Sequence, residues 1–352
     1  MRNSRGIVGS IAALGLVIGL GISQSSAQTT VRVLGGFSNQ LQNNEVEKPF
    51  FEKLGSALGG RFKVQFRTMD GMGLQGFDAL RQLQSGIFDI IAFAPGYVAG
   101  DDPFFLGLDL AGLTPEIAMT RKGVDAYRAA FDARLQQRFN GKLLALWPYP
   151  GQMIFCKGAV SKIDDLKGKK IRVFNPALAT LMEYFGATAV TLAFPEVYEG
   201  LQRGVADCAI TSSLSGNSVK WFEVTSHLYP LSLSWAIQGH VANLDFWNRL
   251  SPGDKEAFQQ QFKKMENEMW AVAEDATADG INCNAGRDPC KHGVKARMTV
   301  ANVTDEDRRR LREAGMKAVL PQWANSCNQK FPACSTTWNS TFGQAIGVTF
   351  IK

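Results

Sequence analysis

The sequence predicts an α/β fold of two lobes, with crossings of the chain between the lobes and a long helix that bridges them. Segments with a strand pattern alternate with amphipathic helical segments, which is typical of parallel sheets covered by helices. The chain has 352 residues, more than one core of typical size requires. Two turn-rich segments divide the alternation into two series, and a cleft is expected between them.

The first series begins after residue 27, where TVRVLGG is predicted as a strand. VEKPFFEKLGSALGG is predicted as a helix because Phe50, Phe51, Leu54 and Leu58 form one apolar stripe. RFKVQFRT alternates like a strand, GFDALRQLQSG is an amphipathic helix, and FDIIAFAP is an apolar strand. Residues 114–139 are predicted to be largely helical.

The strand in GKLLALWPYPG ends in a turn that we interpret as the first crossing between lobes. A second series follows as strand KKIRVFN, helix PALATLMEYFG, strand TAVTLA, helix PEVYEGLQRG and strand ADCAITSS. The segment YPLSLSWAIQGHVANLDFW is the predicted return crossing. We therefore assign residues 28–149 and about 239–279 to lobe I, and residues 150–238 and about 280–352 to lobe II.

A long helix is predicted from Ser251 to about Asp279. Ser251 is a natural N-cap, Pro252 suits the first helical position, and Asp254 can complete the cap. Such a helix can lie across both lobes. Two shorter helices with a break near Asn267 are the alternative.

Residues 1–27 have the pattern of a secretory signal peptide: Arg2 and Arg5 precede an apolar run, and small residues follow it. An uncleaved membrane anchor is the alternative, although the run is at the short limit for a bilayer span. Without these two arginines the formal charge falls from +6 to +4, which does not favour a nucleic-acid surface. We expect no stable membrane insertion after cleavage.

The six cysteines are expected to form disulfides, because an exported chain reaches an oxidising compartment. Two pairs each enclose a polar loop of six residues, Cys283 with Cys290 and Cys327 with Cys334. A metal site is the alternative, but this spacing is not that of a zinc clip. The remaining pair is Cys156 with Cys208, for which bridged and free forms stay equally open.

Four motifs follow one another in the second series: DLKGKKIR from Asp165, GAT from Gly186, FPEVY from Phe194 and QRGVAD from Gln202. In these motifs the chain resembles the substrate-binding proteins of TRAP transporters of the DctP type. KWFEVTSHL and LQSGIFDI are similar to two further pieces of the family pattern. The resemblance extends over nearly all of the chain after residue 27.

This resemblance implies a periplasmic binding protein fold and a periplasmic location. It also implies a receptor that closes on a small organic acid and delivers it to the TRAP membrane permease. Arg172 matches the arginine that holds the substrate carboxylate in such proteins. An internal ion pair with a nearby Asp or Glu is the alternative, because a buried arginine needs a partner.

Three positions depart from the family pattern. Thr211 stands where the family often has an Asn that contacts the carboxylate, and Cys208 replaces a glycine. Gln152 stands where members that bind sugar acids carry a second arginine. The missing positive charge suggests a ligand with one carboxylate or with a less polar tail.

Residues near strand ends and crossings predict cleft walls that suit an apolar or aromatic ligand body. Ordinary core packing is the alternative for each of them. Phe194 also matches a family aromatic that packs on the ligand. The predicted wall residues are Phe37, Tyr97, Trp147, Tyr149, Phe194, Trp235 and Gln238.

The sequence does not predict an enzyme, a metal or a cofactor. His227, His240 and His292 lack the spacing of a zinc triad, and Ser212 and Ser213 lack a nucleophile-elbow pattern. GFSNQ and DGMGLQG lack the spacing of a phosphate loop. The alternatives are a ligand-sensing protein with a signalling partner, or a hydrolase or isomerase that uses the same cleft.

Overall fold

The computed structural model describes residues 28–351, so the predicted signal peptide lies outside the described residues. Eleven strands form two sheets within this range. The strands are β1 (Thr29–Gly35), β2 (Phe62–Thr68), β3 (Ile90–Phe93), β4 (Gly141–Trp147), β5 (Gln152–Cys156), β6 (Lys170–Val173), β7 (Thr188–Thr191), β8 (Cys208–Ser212), β9 (His227–Tyr229), β10 (Gln238–Asn243) and β11 (Thr299–Val300).

The α-helices cover the faces of the sheets and form a C-terminal group. They are α1 (Lys48–Ala57), α2 (Ala79–Gln84), α3 (Ile117–Phe139), α4 (Pro176–Tyr184), α5 (Val197–Gln202), α6 (Ser213–Ser218), α7 (Leu244–Arg249), α8 (Pro252–Ala285), α9 (Asp305–Ala314), α10 (Leu320–Lys330), α11 (Cys334–Trp338) and α12 (Gln344–Ile346).

The two sheets are each parallel except for one strand. Sheet A has the order β2-β1-β3-β10-β4 and sheet B the order β11-β9-β5-β8-β6-β7. β10 runs antiparallel to β3 and β4, and β5 runs antiparallel to β8 and β9. Each is the first strand after a crossing between the sheets. The predicted parallel arrangement is thus present in the other strands but not in these two, because a chain arriving from the other lobe enters the sheet from the cleft side.

Helix α8 is one continuous helix of 34 residues. Its start is as predicted, since the Asp254 N–H donates to Ser251 Oγ at 3.1 Å. The helix has no break near Asn267 and continues six residues beyond Asp279. The predicted single long helix is therefore present, and the alternative of two shorter helices is not observed.

Helix α8 contacts both sheets. Beside sheet A, Trp270 Nε1 donates to the carbonyl oxygen of Leu146 at 2.9 Å. Nearer its C-terminal end, Asn284 Nδ2 donates to the carbonyl oxygen of Ser213 at 2.8 Å, directly after sheet B. A Cβ at Gly280 would lie 2.5 Å from the main-chain nitrogen of Leu214, so close contact between α8 and α6 requires glycine there.

The return crossing, residues 230–237, is held by a buried aspartate. Asp109 accepts a hydrogen bond from the Trp235 N–H at 3.0 Å. Trp235 Nε1 donates to the Thr114 carbonyl oxygen, also at 3.0 Å. Burial raises the pKa of Asp109 to about 6, although the hydrogen bond from the Trp235 main chain acts in the opposite direction.

The C-terminal helices contact elements of both lobes. The predicted division places residues 280–352 in lobe II. However, Trp323 Nε1 donates to the Pro103 carbonyl oxygen at 2.7 Å, beside sheet A. On the other side, Arg310 pairs with Asp164 near sheet B at 2.8 Å. The contacts of residues 305–346 thus do not assign this segment to one lobe.

All three cysteine pairs are bridged. The predicted disulfides Cys283–Cys290 and Cys327–Cys334 are present. Cys156 and Cys208 also form a disulfide, and they are register partners on neighbouring strands β5 and β8. This bridge was left open by the sequence, because its two residues are 52 positions apart.

The fit between α8 and α6 predicts that Gly280→Ala lowers the free energy of unfolding. The new methyl group would meet main-chain atoms that cannot move aside, at a cost of roughly 1–3 kcal/mol. Gly253→Ala in the same helix is the matched control, since no atom of the described residues lies within 4 Å of its Cβ position. Urea denaturation of the two variants should therefore differ. Equal midpoints would contradict this account of the helix contact.

The buried Asp109 predicts a pH-dependent effect of Asp109→Asn. A folded-state pKa near 6, above the usual 3.8, means that stability from this group is present at low pH. That stability is lost as the pH rises through 6. The variant should therefore gain up to about 3 kcal/mol relative to wild type between pH 4 and pH 7. Urea denaturation at both pH values measures this, with exposed Asp101→Asn as control. A pH-independent difference for Asp109→Asn would refute it.

Candidate functional site

A cavity of about 60 Å³ lies where the ends of strands from the two sheets face each other. Side chains that follow β1, β3 and β4 form one wall, and side chains of β5, β6 and β8 form the other. The return crossing and the start of β10 complete the lining. The lining residues are Gly36, Phe37, Gln40, Met69, Gly76, Ala92, Ala94, Tyr97, Trp147, Tyr149, Gln152, Arg172, Phe174, Phe194, Thr211, Ser215, Ala236 and Gln238.

Arg172 on β6 is only 1% exposed. Its Nε donates to the Leu192 carbonyl oxygen at 3.0 Å, and NH1 donates to the Ile210 carbonyl oxygen at 2.8 Å. The Phe174 ring lies 5.4 Å from the central guanidinium carbon. NH2 is buried and has no hydrogen-bond partner among the described residues. The guanidinium is thus fixed in place while one of its nitrogens stays unused.

Arg172 forms no direct ion pair with the residues that the structure describes. Its hydrogen-bond partners within residues 28–351 are main-chain carbonyls, so the alternative of an internal pair with Asp or Glu is not observed. Burial lowers the pKa of Arg172, while the Tyr97 hydroxyl and the charge of Glu196 oppose this shift. A buried cation of this kind is costly unless an anion reaches it. The cavity is therefore suited to an anionic ligand.

Three predicted polar residues also line the cavity. Thr211 on β8 is buried, and its hydroxyl forms no hydrogen bond with the described residues. Gln152 and Gln238 lie at the first positions of β5 and β10, the strands that follow the two crossings. Their side-chain nitrogens donate to main-chain carbonyls of the crossings.

Aromatic rings connect the two walls. Phe37 and Phe194 have ring centroids 6.0 Å apart, and Tyr97 and Phe174 are at the same separation. Phe37 and Tyr97 follow strands β1 and β3 of sheet A. Phe194 and Phe174 follow strands β7 and β6 of sheet B. The rings give the cavity a largely apolar surface around the single guanidinium.

A buried chain of hydrogen bonds supports the wall on the side of sheet A. Trp147 Nε1 donates to His240 Nδ1 at 3.1 Å, so the proton of a neutral His240 ring is on Nε2. His240 Nε2 then donates to Glu47 Oε1 at 2.8 Å. The other carboxylate oxygen accepts from the Gly36 N–H at 2.9 Å. Glu47 thereby links two lining segments.

The structure brings nine of the ten predicted cleft residues to the cavity and leaves one elsewhere. Trp235 is not a lining residue, and its indole N–H donates to the carbonyl oxygen of Thr114 in the segment before α3. Sequence reasoning missed Phe174, although the two-residue repeat of a strand places it on the same side as Arg172. The nine residues are Phe37, Tyr97, Trp147, Tyr149, Gln152, Arg172, Phe194, Thr211 and Gln238.

Residues 28–351 contain no group of three or more His, Cys, Asp or Glu side chains placed to hold a metal ion. Within the same range, none of the helices combines the length and apolar character needed to cross a membrane.

Solved structures share this architecture. An extracytoplasmic solute receptor of Bordetella pertussis that binds pyroglutamic acid superposes with a TM-score of 0.77 at 19% identity, covering 88% of this chain and 99% of that one. A TRAP solute-binding protein of Desulfovibrio salexigens with bound orotic acid gives a TM-score of 0.80 at 17% identity, covering 90% and 100%. These likenesses show the predicted two-lobed fold.

Curated proteins match parts of the sequence. The ectoine-binding periplasmic protein TeaA of Halomonas elongata is 28% identical over 186 residues, which are 52% of this chain. The chain spans about half of that relative, 54% of its length. A solute-binding protein of Verminephrobacter eiseniae is 28% identical over 245 residues, covering 66% of this chain and 70% of that protein.

The family model described as bacterial extracellular solute-binding protein, family 7, matches residues 37–326 and so covers most of the chain. The motifs from Asp165 to Gln202 and all lining residues of the cavity except Gly36 lie within this range. The chain belongs to the DctP family of bacterial extracellular solute-binding proteins.

Proposed function

We propose that this protein is the periplasmic receptor of a TRAP transporter and that it holds the carboxylate of a small organic acid on Arg172. The observation that carries the proposal is the buried guanidinium, which lines the cavity with an unused NH2 group and no ion-pair partner in the described chain. A ligand carboxylate would supply both the missing charge and the missing acceptors.

The geometry of Arg172 suits a two-point contact. Two main-chain carbonyls occupy one hydrogen each on Nε and NH1, so both hydrogens of NH2 and one of NH1 remain. A carboxylate can accept from NH1 and NH2 together, and such charge-assisted pairs are short and directional. Because the guanidinium is already fixed, little side-chain freedom is lost when the acid binds.

Closure of the lobes would complete the site. Arg172 and Thr211 belong to sheet B, whereas Tyr97 follows β3 and Trp147 ends β4, both strands of sheet A. A ligand seated on Arg172 would therefore contact residues from both sides. Since this full set of contacts exists only when the lobes meet, binding would shift the equilibrium towards the closed state. The crossings and α8 are the connections that would bend.

The lining favours a small acid with one carboxylate. Arg172 is the only Lys, Arg or His among the lining residues of the described cavity, and most of its neighbours are apolar or aromatic. Related structures carry pyroglutamic acid and orotic acid, and both acids combine one carboxylate with a small ring. The closed receptor would then deliver its acid to the membrane permease.

The role of Arg172 predicts that Arg172→Lys weakens binding of the acid by at least about 100-fold. Lysine keeps the charge but loses the planar two-point contact and the two carbonyl contacts that orient it. A thermal-shift screen of small carboxylic acids first identifies a ligand, and calorimetry then compares the variants. Arg203→Lys is the control, because Arg203 is largely exposed on the surface. Near-native affinity in folded Arg172→Lys would rule out the proposed role.

A further inference from the structure

We infer that the ligand carries an N–H or O–H donor in addition to its carboxylate, and that Gln152 and Gln238 accept hydrogen bonds from it. This inference rests on the proposed function and narrows its substrate class. It comes from the fixed orientation of two side-chain amides at the cavity. Both residues are lining residues, and neither carries a charge.

The orientation of the Gln152 amide follows from its surroundings. Gln152 is 2% exposed, and its Nε2 donates to the Pro150 carbonyl oxygen at 2.9 Å. A carbonyl oxygen can only accept, so reversing the amide would place two oxygens against each other. Oε1 accepts no hydrogen bond from residues 28–351, and it is not sealed away from the cavity.

Gln238 repeats this arrangement on the other crossing. Its Nε2 donates to the Ala236 carbonyl oxygen at 3.1 Å and is 3.4 Å from that of Ile237. Main-chain carbonyls again fix which end of the amide faces the protein. The Gln238 Oε1 is therefore a second acceptor without a donor among the described residues.

The cavity therefore has a cationic group at Arg172 and uncharged hydrogen-bond acceptors at the two glutamines. Arg172 lies on β6 and Gln152 on β5, the strands on either side of β8. The carboxylate is drawn to the guanidinium and kept away from the amide oxygens, which repel a second carboxylate. A purely hydrocarbon acid would leave a buried acceptor without a partner, whereas a lactam or a hydroxy acid would satisfy it.

Matched pairs of acids test the inference on the wild-type protein. The first pair is 5-oxopyrrolidine-2-carboxylate and 3-oxocyclopentanecarboxylate, which differ only by a ring N–H in place of CH₂. The second pair is lactate and propionate, and the third is 3-hydroxybutyrate and butyrate. In at least one pair we expect the donor-bearing acid to bind roughly 10- to 100-fold more tightly by calorimetry. The N–H and O–H pairs distinguish the two kinds of donor.

Variants of the two glutamines test whether their amides cause the difference in affinity between the paired acids. Gln152→Met and Gln238→Met remove one acceptor each and keep the side-chain length, and at least one of them should abolish the preference for the donor. Gln259→Met on the exposed face of α8 should retain it. The inference is overturned if no pair shows a preference in the wild type, or if the preference survives both cavity variants.

The experiments distinguish a failure of this inference from a failure of the proposed receptor function. If acids bind in an Arg172-dependent manner without any preference for a donor, the receptor function stands and this inference fails. If no carboxylic acid in the wider screen binds at all, the proposed function fails as well.

Discussion

The constraint on which this site depends is a guanidinium that is buried against two main-chain carbonyls and has no acidic partner among residues 28–351. Leu192 and Ile210 supply acceptors but no charge, so the position of Arg172 is fixed although it has no direct ion-pair partner in the described part of the chain. Burying a cation in this way is unfavourable for folding. Such an arrangement is understandable when the compensating anion comes from outside the chain.

The architecture around this residue allows an anion to enter and then to be enclosed. Two sheets meet at the cavity, and the chain passes between them at residues 148–151 and 230–237. Helix α8 contacts both sheets, and Asp109 holds the return crossing. The antiparallel strands β5 and β10 start at the crossings and place Gln152 and Gln238 at the cavity. The connections that join the lobes therefore also contribute residues to the site.

Local patterns in the sequence predicted most elements and much of the site. The strand of Arg172 and the cap at Ser251 follow from alternation and from helix-terminus chemistry, both of which are local. Cys156 and Cys208 could not be paired with the same certainty, because their proximity depends on the pairing of β5 with β8.

The features that the sequence did not predict depend on tertiary contacts. Trp235 has the pattern of a wall residue, but its indole N–H donates to the carbonyl oxygen of Thr114, in the segment before α3. The direction of β5 and β10 depends on which lobe the chain arrives from. The C-terminal helices have amphipathic patterns, but these patterns do not predict which segments the helices contact. The Trp323 indole N–H, for example, donates to the carbonyl oxygen of Pro103. The orientation of the Gln152 amide is likewise set by a neighbour, the carbonyl of Pro150.

The most direct test of the account is a crystal structure of the protein with a bound acid identified by screening. The account predicts that both carboxylate oxygens lie within hydrogen-bonding distance of Arg172, one near NH1 and one near NH2, in a cavity closed by residues of both sheets. A carboxylate bound elsewhere, with NH2 of Arg172 still without a partner, would contradict it.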